Sequence, residues 1–347
     1  MHQLQAFSHS AGSGGRSLRP RRSCLAVPGS SSRMLTKAQS LPADQVFLDL
    51  EDSVAPDAKE EARDLIIQAL REGAWGNKTK VVRINDCTTQ WTYRDLITVV
   101  EAAGDHLDCV MLPKVQDAGQ VEFVDHLLAQ IELEKGWVHG RIGLELQIET
   151  APGLVNAESI LAASPRTETL IFGPGDMAAD LGMPSLTVGE LQLDYPGDHW
   201  HWVLFTILVH ARNAGVQAID GPYAKIRDLV GFREMATRSR TIGFDGKLVL
   251  HPGQIDAANE IFSESQADYE RAVDILEAFS VAVEVEQRGA VMFGDEMIDE
   301  ASRKLALMTL EKGNREGSTY RSAPPEVPIH ERAAWRIAKL SEVDPDE

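Results

Sequence analysis

Residues 143–182, GLELQIETAPGLVNAESILAASPRTETLIFGPGDMAADLG, hold the repeat that decides the fold. They open on a brief apolar block, 143–148, and run through a helical pattern at 152–163. A second apolar block follows at 169–172, and a Gly-Pro-Gly turn leads into another helix start. Short uninterrupted apolar runs are the mark of strands buried on both faces, and two such strands lying parallel need a crossover between them. Each block is followed by an acid, Glu149 and then Asp176, 27 residues apart, close to one strand-plus-helix repeat. The two carboxylates are therefore expected on adjacent strands at the same height.

The alternation continues in both directions. Further strands are expected at 23–27, 46–50, 80–84, 109–112, 217–219 and 241–248, and helices at 57–71, 93–103, 118–134, 201–214, 224–238 and 252–263. The helix at 57–71 is the clearest, because Ala58, Ala62, Leu65, Ile66 and Ala69 form one stripe and Pro56 sits at its start. Eight strands, each followed by a helix, predict a (β/α)₈ TIM barrel over residues 21–265 rather than an open doubly wound sheet. No G-x-G-x-x-G follows the first strand, which argues against a dinucleotide site. Helical patterns alone then occupy 267–288 and 298–312, joined by a Gly-containing turn at 289–294. A barrel does not need this extension, 266–315, for closure, so it is read as covering the mouth or reaching a neighbouring subunit. Residues 316–347 form a polar, Pro-rich tail with a short helical pattern at 332–340, and residues 1–20 are expected to be a disordered tail.

Of 347 residues, 43% are hydrophobic and 25% charged, the balance of a soluble globular enzyme. The 34 Lys and Arg against 53 Asp and Glu give a net charge of −19, which argues against nucleic acid or an anionic membrane as the main partner. An anionic ligand must then be met by a local basic site. No apolar run approaches the roughly 18 residues that span a bilayer. Cys24, Cys87 and Cys109 are odd in number and lack ligand spacing, so neither a disulfide framework nor a zinc cluster is expected, and a reducing, cytoplasmic compartment fits. The first 22 residues carry Arg16, Arg19, Arg21 and Arg22 without an acid, a loose match to an organellar transit peptide; a plain disordered start is the favoured reading.

In a barrel the chemistry sits where strands end at their C-terminal side. Those positions offer Asp49-Leu50-Glu51-Asp52, Arg83 with Asn85, Pro113-Lys114, Glu149 and Asp176. Two carboxylates with open positions for water and ligand oxygens suit Mg²⁺. Taken singly, Asp176 could instead cap the turn at 177–181, and Glu149 could pair with Lys114 or Arg83. Both acids at one rim beside an arginine favour the metal. The planar fork of Arg83 suits an α-keto acid carboxylate or a developing oxyanion, the alternative being an ion pair with Glu51 or Asp52. Glu51 and Asp52 are read as ordering water around the ion, with Asp52 alternatively capping the loop before Asp57. After the first strand, a Gly-Ser turn leads into a helix start where Arg33 and Lys37 lie one turn apart, an anion site.

Together these stretches resemble the citrate lyase β-subunit-like family of CoA-ester lyases, grouped with the HpcH/HpaI aldolases. The matching segments are RSCLAVPGSSSRMLTKA, VFLDLEDSVAPDAKEEAR, KVVRIN, VMLPKV, LELQIETAPGLVN, LIFGPGDMAADLG, IDGPY, GKLVLHPGQI and GDEMIDEASRK, in order from about residue 21 to 315. GDHWHW at 197–202 is similar to the malyl-CoA/β-methylmalyl-CoA/citramalyl-CoA lyase branch. The resemblance implies a barrel that binds Mg²⁺ through Glu149 and Asp176, with Arg83 on the keto-acid oxygen. It implies Arg33 and Lys37 near the CoA phosphates and Pro252, in the His251-Pro252 turn, on the CoA side. Asp299 matches an acid carried into a neighbouring subunit's active site, so a homo-oligomer, trimer or hexamer, is expected. The activity implied is Mg²⁺-dependent reversible cleavage of a 3-hydroxyacyl-CoA to an acyl-CoA and a 2-oxo acid, with Arg83 and Asp299 as catalytic residues, to which the reading of the rim adds Glu51. Three alternatives stand beside it: a malyl-CoA thioesterase, a CoA-independent pyruvate aldolase, and a catalytically silent carrier-dependent lyase subunit.

Overall fold

The computed structural model describes residues 19–184, 187–190, 195–284, 287–320 and 327. The expected tail before residue 19, the helical pattern at 332–340 and most of the Pro-rich stretch lie outside these residues. The chain divides into two compact units, one ending at Phe262 and one beginning at Ser263.

Among the described residues the first unit holds eight parallel strands closed into a barrel, β8 pairing back to β1. They are β1 (Ser23–Pro28), β2 (Gln45–Asp49), β3 (Thr79–Arg83), β4 (Cys109–Leu112), β5 (Gly143–Ile148), β6 (Thr167–Phe172), β7 (Gln217–Asp220) and β8 (Gly246–Val249). The outer ring is α1 (Ser32–Gln39), α2 (Lys59–Glu72), α3 (Thr92–Ala103), α4 (Ala118–Glu134), α5 (Ala151–Val155), α6 (Ala157–Ala162), α7 (Pro174–Asp180), α8 (His201–Ala214), α9 (Leu229–Ile242) and α10 (Ile255–Phe262). This is the expected (β/α)₈ TIM barrel. No helix among the described residues is long and apolar enough to cross a membrane.

Strand alternation sorts each side chain to one of two cores. On β5, Leu144, Leu146 and Ile148 join the apolar layer beneath the helices. The opposite parity fills the barrel interior, where Cys24, Phe47, Val81, Cys109, Met111, Ile171, Ile219 and Leu248 form a middle layer. Below that layer lies Arg21, 1% exposed. Its Nε donates to Gln45 and Glu145 (both 2.9 Å), Nη1 to Gln217 (2.7 Å) and Nη2 to Glu168 (2.7 Å). Glu168 is the extra residue of a β-bulge between β5 and β6, which turns its side chain toward the arginine. Arg19, placed in the tail by sequence, is also tied to this floor, through Asp108 (2.9 Å) and Glu168 (3.2 Å). Burial pushes the thiols of Cys24 and Cys109 well up, as expected of inert, free cysteines.

Three elements differ from expectation. The helix at 152–163 is split into α5 and α6 at Asn156, whose Nδ2 is drawn off to the carbonyl of Gln116 (2.9 Å). The helix expected at 224–238 starts instead at Leu229, where Asp228 caps Gly231 (3.0 Å) and accepts from the Tyr223 hydroxyl (2.7 Å). It runs on to Ile242 and stops at Gly243, whose φ of 117° only glycine adopts readily, so 241–242 are helix rather than strand.

The second unit is built on α11 (Gln266–Glu284) and α12 (Glu300–Glu316). Between them, the turn expected at 289–294 is a hairpin, β9 (Val291–Phe293) against β10 (Glu296–Ile298). Phe293 and Ile298 bury one hairpin face against Phe279 of α11.

Candidate active site

The ends of β2 and β3 are in register, Asp49 beside Arg83. Arg83 donates through Nε and Nη2 to the two Asp49 oxygens (2.7 and 2.8 Å), and its Nη1 lies 3.4 Å from Glu51. Asp49 also accepts from the backbone of Glu51 and Ser53 (2.9 and 3.1 Å). Although burial alone would raise its pKa, Arg83 and these donors hold the carboxyl down to about 2. The alternative weighed for Arg83, a pair with Glu51 or Asp52, is therefore corrected: the principal partner is Asp49 and Glu51 is secondary. Parity carries the missing signal, since Asp49 shares the inward face of β2 with Phe47, whose ring lies beneath the guanidinium at 5.4 Å. The fork fixes the plane of Arg83 and leaves its charge facing the rim.

Lys114 follows β4 with φ at 51°, a conformation disfavoured once a β-carbon is present. Its backbone N–H donates to Glu149 (2.7 Å), so the expected Lys114–Glu149 contact is made by the amide and not by the ammonium. The ammonium reaches the other way, to Glu51, to Asp52 (3.1 Å) and to within 3.7 Å of Asp176. From α2, the buried Lys59 donates to the carbonyls of Leu50 and Glu51 (2.8 and 3.1 Å), fixing the loop that presents Glu51. The sequence offers Lys114 only as a rim residue and alternative partner of Glu149, and gives Lys59 no role. A lysine just past a strand, in a loop of acids, is a weak signal by itself.

Glu149 is 3% exposed at the end of β5. It packs against Gly173, where a β-carbon would stand 2.3 Å from its Oε2, so the close approach requires glycine. Asp176 sits in the first turn of α7, and Gly173 is the N-cap residue. The capping alternative for Asp176 therefore does not hold. Its side chain is 41% exposed. Burial first, then the nearby Asp176 charge, push the Glu149 carboxyl up to about 8, with Arg83 opposing. A buried carboxyl repelled by a second acid is the environment that a divalent cation relieves.

Arg33 and Lys37 are both exposed on α1, one turn apart, after a start at which the Ser31 hydroxyl accepts from Met34 (3.4 Å). Pro252 opens a short 3₁₀ turn after β8, where His251 and Gln254 cap one another. Asp299 belongs to the second unit. There its Oδ1 accepts from the amides of Ala301 and Ser302 (2.9 and 3.1 Å) and caps α12, a role sequence reading did not weigh. The barrel thus brings Arg83, Glu51, Glu149 and Asp176 to one rim.

Residues 22–252 match the sequence model described as HpcH/HpaI aldolase/citrate lyase. An L-malyl-CoA/beta-methylmalyl-CoA lyase of Cereibacter sphaeroides is 40% identical over 297 residues, 83% of this chain and 93% of that protein. A (3S)-malyl-CoA thioesterase of the same species is 37% identical over 275 residues, 79% of this chain and 88% of that protein. Among solved structures, CitE from Mycobacterium tuberculosis in complex with magnesium, acetoacetate and coenzyme A superposes with a TM-score of 0.67 at 29% identity. That likeness covers 85% of this chain and 98% of that one.

Proposed function

Because this chain belongs to the HpcH/HpaI aldolase/citrate lyase family and is a carbon–carbon lyase by class, we propose a specific reaction for it. The reaction is Mg²⁺-dependent, reversible cleavage of a 3-hydroxyacyl-CoA, such as malyl-CoA, β-methylmalyl-CoA or citramalyl-CoA, to an acyl-CoA and glyoxylate or pyruvate. One observation carries it: the buried Glu149 carboxyl, close to Asp176 and beside a charge-fixed Arg83. The donor set fits a hard divalent ion. Among the described residues no third His, Cys, Asp or Glu completes a cluster with the pair, so most positions of an octahedral ion would be left to water and substrate oxygens. Held by Glu149 and Asp176, Mg²⁺ would supply Lewis-acid polarisation of the substrate oxygens.

The chain's own residues account for the rest. Cleavage passes the hydroxyl proton to water at the rim and breaks the C–C bond, and the electron pair of that bond passes to the thioester α-carbon as an enolate, which then takes up a proton. Arg83, locked by Asp49, holds its guanidinium toward the oxygen of the 2-oxo acid. Glu51, kept by Lys114 and the loop that Lys59 fixes, orders water at the rim. Arg33, Lys37 and the Pro252 turn take the CoA side. Asp299 is assigned the proton at the acyl α-carbon, from a neighbouring copy in a homo-oligomer, and an isolated monomer is inactive on this reading.

The likeness to a malyl-CoA thioesterase supports a second reading, in which the same site directs water at the thioester carbonyl. Parallel assays of the three CoA esters, with and without Mg²⁺, separate the two. Equal amounts of 2-oxo acid and acyl-CoA are expected, only with the metal. Free CoA appearing with intact malate would replace the lyase by the thioesterase. A second measurement tests the placement of Glu149: Gly173→Ala forces that carboxylate aside, and a misplacement of about 1 Å costs about 10² in kcat/KM. Wild-type kcat/KM in this variant would show that Glu149 is not held to one position.

A further inference from the structure

Five carboxylates crowd the rim, those of Asp49, Glu51, Asp52, Glu149 and Asp176, and two fixed cations, Arg83 and Lys114, are distributed unevenly among them. Arg83 takes both oxygens of Asp49 and reaches Glu51 only at 3.4 Å. The Lys114 ammonium takes Glu51 and Asp52, the latter at 3.1 Å, and touches Asp176 only at 3.7 Å. Glu149 receives a neutral amide from Lys114 on Oε1. The acids nearest to being uncompensated are the two read above as holding the ion, and the present inference rests on that reading.

The number of carboxylates left over matters to the choice of ion. Ca²⁺ takes six to eight oxygens and gains from extra or bidentate carboxylates at flexible sites. Mg²⁺ is smaller, keeps several waters and is satisfied by one or two carboxylates. Among the described residues no third carboxylate completes a cluster with Glu149 and Asp176 while the ammonium is in place; with it gone, Glu51 and Asp52 would be free to turn toward the pair, and a rim offering all four would suit calcium. We propose that Lys114, by holding Glu51 and Asp52, keeps the ion-facing carboxylates at two and so makes the site selective for Mg²⁺ over Ca²⁺.

The backbone supports a dedicated role for this side chain. At φ 51° glycine would fit without strain and would still offer the amide that Glu149 accepts, yet the position carries a lysine whose Nζ lies among acids from two other strand ends. Lys114 is a specificity-determining residue on this account. It acts through the carboxylates it removes from the ion.

The test is calorimetric titration of the full chain with MgCl₂ and with CaCl₂, without substrate, for wild type, Lys114→Met, Lys114→Gly and Lys114→Arg. Both Met and Gly variants keep the amide, and Gly also relieves the strained φ, so one folded variant without the ammonium is secured. The ratio of Ca²⁺ to Mg²⁺ affinity is expected to rise at least tenfold in Met and Gly and to stay within twofold of wild type in Arg. A ratio unchanged in both Met and Gly overturns the role of Lys114 and leaves the ion-holding pair standing. No saturable binding of either ion to wild type overturns the pair itself, and this proposal with it.

Discussion

Asp176→Ala is expected to lower cleavage of a 3-hydroxyacyl-CoA by on the order of 10²–10³, the usual loss when one preorganised electrostatic contact is removed from a reacting centre. The fold should not notice. Asp176 is 41% exposed at the side chain, caps nothing and meets Lys114 only at 3.7 Å. Its loss also removes a charge that repels Glu149. Circular dichroism and the thermal midpoint should therefore match wild type while turnover collapses and the response to added Mg²⁺ flattens. Full turnover of the variant in excess chelator would take the metal out of the mechanism.

The largest effect on stability is expected at the other end of the barrel. Arg21→Met leaves the fully buried Glu145 without its guanidinium, while Glu168, 9% exposed, keeps Arg19 at 3.2 Å. Removing one partner of a buried ionic network costs about 3–5 kcal/mol, because the charge left behind has no water to return to. Burial already pushes Glu145 up, and Arg21, with a smaller part from Gln45, opposes it. Urea unfolding at neutral pH should show a lower midpoint with an unchanged slope. Adding Glu145→Gln should restore part of the loss by removing the stranded charge. An unfolding free energy within about 0.5 kcal/mol of wild type, the size of an ordinary surface substitution, would mean that the floor is held by something else.

The barrel was legible because parallel strands buried on both faces leave short apolar blocks, and β4 and β5 were read to the residue. The errors fall where local chemistry overrides pattern. Thr241-Ile242 reads as the start of a strand, yet the stop is set by the φ of Gly243. The hairpin of the second unit has strands of three residues, too short for any period to show. Of the site, the acids at strand ends followed from spacing. Asp49 did not, because three acids in four residues look alike until strand parity singles out the one facing inward. The role of Arg21 is hidden for a different reason: it stands at the first position assigned to the barrel, among Arg16, Arg19 and Arg22, and only the closed barrel brings Glu145 and Glu168 to it from strands more than 120 residues away.

That closed floor has a kinetic consequence. With Arg21 plugging one end and a packed apolar layer above it, the cylinder is a cul-de-sac. Whatever is split at its top must depart by the doorway the intact molecule used. Entry and departure therefore share one opening.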